Sequence, residues 1–136
     1  MIKIFVLVTA FFISAAVNAS DETVCPSTIT CNYDSGTCNT PSGWYLADGL
    51  AQEMFSGTQT FAISAISAYM VGSSPPNEHY GLECWYKYGE GSSFLFYTTV
   101  KSLIGANWVF SGFGNKKANC SYVSDPTTCA GGEQFT

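Results

Sequence analysis

Apolar and polar positions alternate with a period of two along much of the chain, the pattern of strands with one buried face. The clearest stretch covers residues 81–101. Leu82, Cys84, Tyr86 and Tyr88 point one way, and Glu83, Trp85 and Lys87 point the other. Gly89-Glu90-Gly91 turns the chain. Phe94, Phe96, Thr98 and Val100 then alternate with Leu95, Tyr97, Thr99 and Lys101. The Cys84 face carries no charge, so it is the predicted core face. Leu95 and Tyr97 keep the opposite side of the second strand apolar, which predicts partial cover there.

The neighbouring segments extend the pattern. Residues 28–33 read as a short first strand, and Pro41-Ser42-Gly43 turns the chain toward Trp44-Tyr45-Leu46. Residues 61–71 (FAISAISAYMV) are ambiguous. Phe61, Ile63 and Ala65 alternate as in a strand, whereas Ile66, Ala68, Met70 and Val71 also fit a short helix. The Ser content and flanking Thr favour a strand. Ser73-Ser74-Pro75-Pro76-Asn77 is a loop. Gly105 opens a further strand over residues 106–113, with Trp108 and Phe110 as its large inward residues. It would follow the hairpin as the third strand of an antiparallel meander. The whole predicts an all-β fold, a small antiparallel β-sandwich or partly open barrel. No repeat, heptad or low-complexity segment interrupts it.

The first residues do not belong to that pattern. Lys3 precedes a largely apolar stretch over residues 4–16, and Val17-Asn18-Ala19 supplies small residues at the −3 and −1 positions. This is a secretory signal peptide, residues 1–19, with cleavage predicted after Ala19. The run is shorter than the roughly 20 residues of a membrane span, and Ser20-Asp21-Glu22 follow it directly. No membrane anchor is expected after cleavage. Residues 20–136 then form a single secreted or periplasmic β domain.

Export changes the meaning of the cysteines. All six, Cys25, Cys31, Cys38, Cys84, Cys120 and Cys129, follow the leader. An even number in an oxidising compartment points to disulfides. No Cys-x-x-Cys spacing supports a zinc or redox centre. Fifteen connectivities are open to six cysteines, and spacing favours one of them. Cys31 and Cys38 enclose a turn-rich segment, and Cys120 and Cys129 enclose Asp125-Pro126. That leaves Cys25 with Cys84, a long loop that staples the first strand to a central one.

The order of Cys25-Pro26, Ile29, Gly43-Trp44, Phe61, Cys84-Trp85-Tyr86, Trp108 and the Cys120/Cys129 tail resembles a family of small Sec-exported proteins of Gram-negative bacteria with a single domain of unknown function. The resemblance spans essentially the whole mature chain. It implies a compact, disulfide-bonded, periplasmic or secreted β domain, and it transfers no catalytic residue. The Cys31–Cys38 loop departs from the family pattern.

Charge and composition then remove most kinds of chemistry. The 136-residue chain carries a net charge of −5, and all five of its basic residues are lysines. Without arginine there is no guanidinium fork for phosphate or carboxylate, and the negative charge opposes nucleic acid. Lys116-Lys117 is too small a patch to reverse that. One histidine, His79, allows no multi-histidine metal centre. His79, beside Glu78, is also the sole candidate base, and no Gly-x-Ser-x-Gly elbow accompanies it. Glu83 and Glu90 flank the hairpin turn and are the candidate pair for glycoside hydrolysis. Asp21-Glu22, Asp34 and Asp48 lack the Asp-x-Asp spacing of a Ca²⁺ loop. Gly89-x-Gly91-Ser92-Ser93 has no Lys and no helix behind it, so it reads as a turn and not a phosphate loop. Asn119-Cys120-Ser121 is formally a glycosylation sequon, set aside because its cysteine is paired and the resemblance is bacterial.

What remains is the aromatic content, 15% of the chain. Exposed aromatics on a sheet suit stacking on sugars or burial in a protein partner. Trp85, on the charged side of its strand, is the best candidate ligand contact, with Trp44 and Tyr97 beside it. The expected protein is a monomeric, non-enzymatic binding module with an unknown protein or glycan partner, no nucleic acid, no metal and no cofactor. A small secreted hydrolase and a structural envelope protein or inhibitor are the alternatives.

Overall fold

The computed structural model describes residues 22–47, 57–72, 78–88, 92–112, 114 and 116–135. Among them the regular structure is nearly all β, with no α-helix and a 3-10 turn at Pro126–Thr128. The strands in chain order are β1 (Thr28–Asn32), β2 (Thr37–Cys38), β3 (Tyr45–Leu46), β4 (Thr58–Val71), β5 (His79–Tyr88), β6 (Ser92–Val100), β7 (Leu103–Ile104), β8 (Trp108–Ser111), β9 (Lys117–Cys120) and β10 (Ala130–Gly131). Eight of these build a curled, open antiparallel sheet, a half-barrel, and β7 and β10 pair separately as a two-stranded sheet.

The sheet runs β2-β1-β4-β5-β6-β3, and β4 is its spine. One edge of β4 pairs with β5. Its other edge is divided, with β1 against residues 58–62 and β9 against residues 67–69. β9 in turn carries β8. A register shift between Ile63 and Ala65 marks a bulge. A bulge adds one residue and reverses which side chains face inward. Phe61 is buried before it, and Ile66 and Ala68 are buried after it. The resulting jump in spacing is what gave residues 61–71 their helical look. The segment is strand throughout.

The hairpin of β5 and β6 is in the expected register, with Cys84 opposite Phe96 and Tyr86 opposite Phe94. The expected third meander strand is not there. β8 pairs with β9, and β6 is bordered by β3. The chain has already left β6 at β7, which pairs with β10, and Gly105 follows it. Its φ is +118°, and a Cβ on it would lie 2.2 Å from the Thr128 carbonyl oxygen. Only glycine lets the backbone pass that closely under the Pro126–Thr128 turn. Phe110 is a second correction. It is 44% exposed and does not point into the core. Among the described residues β8 pairs with β9 alone, so its other margin has no neighbouring strand there.

The core lies on one face of the curl. Leu82, Cys84, Tyr86, Phe94, Phe96 and Val100 are buried there, with Ile29 and Phe61 from β1 and β4. Phe94 packs edge-on against Phe61 and Phe96, at 5.0 and 5.6 Å between centroids. The cover comes from irregular segments around Cys25, Trp44, Cys129 and Ala130. Side chains bind these segments to the sheet by hydrogen bonds. Tyr86 donates its hydroxyl to the Pro26 carbonyl at 2.6 Å, and Thr98 donates to the Gly43 carbonyl at 2.7 Å. Trp108 Nε1 donates to the carbonyls of Ile104 and Ala130. No buried side-chain polar atom among the described residues lacks a partner.

Three disulfides complete the staples, Cys25–Cys84, Cys31–Cys38 and Cys120–Cys129, the connectivity that spacing favoured. Cys25–Cys84 crosses the core and spans 59 residues of sequence.

Candidate functional site on the outer face

Residues that alternate with the core line the opposite face, and strand register sets them in rows. One row runs Asn119, Ser67, Glu83, Tyr97, Tyr45 across β9, β4, β5, β6 and β3. Beside it lie Ala65, Trp85 and Leu95 on one flank, and Lys117, Tyr69, Gly81 and Thr99 on the other. Between β9, β4 and β5 the surface dips into a groove of about 540 Å³, lined by Ser67, Tyr69, Glu83, Trp85, Lys117 and Asn119 among others.

Each aromatic in this surface is fixed by a local contact. Trp85 is half-buried, and its Nε1 donates to Ser67 Oγ at 3.0 Å, which sets the indole's orientation. Tyr69 lies across the strand on Gly81. A Cβ at Gly81 would come 2.4 Å from the Tyr69 ring, so the glycine makes the seat for that ring. Tyr97 packs on Tyr45 at 5.7 Å between centroids, and Tyr45 is 60% exposed.

Glu83, Lys116 and Lys117 supply the charge. Partial burial pushes the Glu83 carboxyl above its ordinary value of 4.5, and the Lys117 ammonium pulls it partly back. Desolvation dominates because the carboxylate sits among side chains that solvate it poorly.

The structure brings Trp85 and Glu83 together in the groove and sets Tyr97 directly beside Glu83. Trp44 belongs elsewhere. It is 8% exposed and part of the core, which leaves almost no indole surface for a ligand. His79 shares the outward parity of Glu83 but lies four residues away, about 13 Å along a strand. Its ring stacks on Phe135 at 4.5 Å. Asp34 is in the turn between β1 and β2, and Glu22 borders a hollow with Glu133. No three potential metal ligands cluster among the described residues. Glu90, Asp21, Asp48 and the Gly89–Gly91 turn lie outside them. Cys120 of the sequon is disulfide-bonded, and its Asn119 lines the groove.

Lys117 and Tyr69 are the site residues that sequence reasoning did not single out. Lys117 looked like half of a small basic patch. Its alternation with the buried Ala118 is a signal, but its partner strand is remote in sequence. The jump in parity at the bulge hid Tyr69. Comparison with protein families, with characterised proteins and with solved structures finds no match, so the family resemblance rests on its motif order alone.

Proposed function

We propose that this protein is an exported, non-enzymatic binding module, secreted or periplasmic, that takes its partner on the outer face of the sheet. The observation that carries the proposal is the groove between β9, β4 and β5, where Trp85, Tyr69 and Glu83 are held outward opposite a fully packed core. Surface aromatics fixed in a concavity combine large contact area with little entropy to lose on binding. Three disulfides fit an oxidising compartment. Among the described residues no helix is long and apolar enough to cross a membrane. The order of the Cys-Pro, Gly-Trp and Cys-x-Tyr motifs supports the same assignment to small exported proteins. The groove's described lining holds one carboxylate, Glu83, whereas glycoside hydrolysis works with a pair.

The test is a glycan array together with affinity capture from cell-surface extracts, using wild type and Trp85→Ala. Binding should be lost in the variant while its thermal unfolding stays cooperative. Partners retained equally by Trp85→Ala would overturn the assignment of the groove.

A further inference from the structure

The aromatic surface continues past the groove. Tyr97 faces Glu83 across β5 and faces Tyr45 across β3, and it stacks on the latter. Tyr45 borders a second hollow of about 290 Å³, lined by Thr99, Gln134 and Phe135 among others. Phe135 is 45% exposed. Its segment hydrogen-bonds along the same edge of β6 as β3, through Phe135 N–H to the Thr99 carbonyl. The Gln134 amide is held by the Ser42 carbonyl and the Thr98 hydroxyl, so the floor of this hollow is ordered before any ligand arrives. From Ser67 to Tyr45 the row crosses four strands, about 14 Å at the usual strand spacing.

We infer that the two hollows are one extended site for a neutral oligosaccharide chain, with Trp85, the Tyr97–Tyr45 pair and Phe135 as successive stacking platforms. This deepens the proposed binding role and rests on it. Sugar rings offer apolar C–H faces to aromatic rings and hydroxyls to polar groups, and both hollows hold the two kinds of partner. The first has Trp85 and Tyr69 beside Ser67, Asn119 and Glu83. The second has Tyr45 and Phe135 beside Thr99 and Gln134. The uncharged second hollow favours a neutral chain. In the first hollow Glu83 is set against Lys116 and Lys117, and the lining of the second is uncharged. A polyanion would meet a net charge of −5. A single compensated carboxylate gives a polycation little to hold.

The test is calorimetric titration with β-1,4-linked cello- and chito-oligosaccharides of two, four and six units. Affinity should rise about tenfold or more between the disaccharide and the longer chains, since each added platform contributes on the scale of one aromatic contact. Tyr45→Ala and Phe135→Ala should each weaken the hexasaccharide by several-fold and leave the disaccharide unchanged. Trp85→Ala should weaken all lengths. Tyr122→Ala, exposed but remote from both hollows, should change none, and near-ultraviolet circular dichroism checks each variant's fold. Affinity independent of length, or a hexasaccharide indifferent to Tyr45 and Phe135, overturns the extended site. Failure of every oligosaccharide overturns the ligand class. If Trp85-dependent capture of another partner persists in either case, the binding module stands without this inference. If capture does not depend on Trp85, the module itself falls.

Discussion

The two faces of the β5–β6 hairpin are built from alternate residues of the same strands and do opposite things. Inward, Leu82, Cys84 and Tyr86 have no exposed surface, and the one hydroxyl among them donates to a backbone carbonyl. Outward, Glu83, Trp85 and Tyr97 keep part of their surface in solvent, and Glu83 lies opposite Tyr97 across the strands. A shift of one residue along the strand separates the two environments. Stability should therefore reside in even-numbered positions of this hairpin and recognition in odd-numbered ones. That division can be attacked one substitution at a time.

The largest effect is expected from the staple that enters the inner face. Cys25–Cys84 closes a 59-residue separation, against 7 for Cys31–Cys38. In the loop-entropy account its removal costs about 4 kcal/mol, and removal of the short one about 2.5 kcal/mol. Urea unfolding of the paired Cys25→Ala, Cys84→Ala variant and of Cys31→Ala, Cys38→Ala measures both. Equal losses would mean that the core crossing adds nothing beyond a local loop.

Next comes a contrast within the sheet. Ile66→Ala empties a fully packed inner position on β4 and should cost about 3 kcal/mol. Tyr97→Ala, on the outer face, should cost under about 1 kcal/mol. It should instead weaken ligand binding. Chemical denaturation gives the first comparison, and the oligosaccharide titration gives the second. A Tyr97→Ala variant as unstable as Ile66→Ala would erase the division between the faces.

Tyr86→Phe probes a smaller inner term. It removes the hydroxyl that donates to the Pro26 carbonyl and keeps the ring stack with Phe94. A loss of about 1–2 kcal/mol is expected, because the buried carbonyl is left without that donor. Denaturant midpoints at constant m-value give the figure. A neutral result would show that water reaches Pro26 and that the segment covering the core is loosely held.

The sequence carried the local half of this architecture. Alternation through Leu82–Glu83–Cys84–Trp85 fixes which side of the hairpin is core, because the side-chain period of a strand is two. Cysteine spacing favoured the right staples because short turn-rich loops close at little entropic cost. The non-local half was hidden. Nothing near Lys117 or Asn119 announces that β9 will lie against residues 67–69, so the groove could not be assembled from local pattern. The bulge at residues 63–65 reversed the parity and masked Tyr69 as an outward residue. Gly105 had the look of an ordinary strand opener. Its reason for being glycine is the Thr128 carbonyl, more than twenty positions later in the chain. Glu83 and Lys87 beside Trp85 marked it as the better surface candidate, whereas no such pattern surrounds Trp44. Which one is buried depends on the curl of the sheet and the segment that closes over its inner face.

The smallest effect bears directly on whether the outer face is a built site or a bare surface. Glu83 holds its proton more tightly in the fold than in the unfolded chain, because partial burial outweighs the pull of Lys117. Between its ordinary value of 4.5 and the raised value, the folded state binds more protons than the unfolded one. Stability contributed at this position therefore falls as pH rises through that window. Glu83→Gln removes the ionisation, so the variant should unfold at a slightly higher temperature than wild type at pH 7. The difference should close as the pH is lowered below 4.5, where both side chains are neutral. Paired melting curves from pH 3.5 to pH 7 make the measurement. If Glu83→Gln is instead the less stable protein at pH 7, the Lys117 attraction dominates. The groove then holds an ion pair in water, and the desolvated floor expected beneath a stacked ligand is absent.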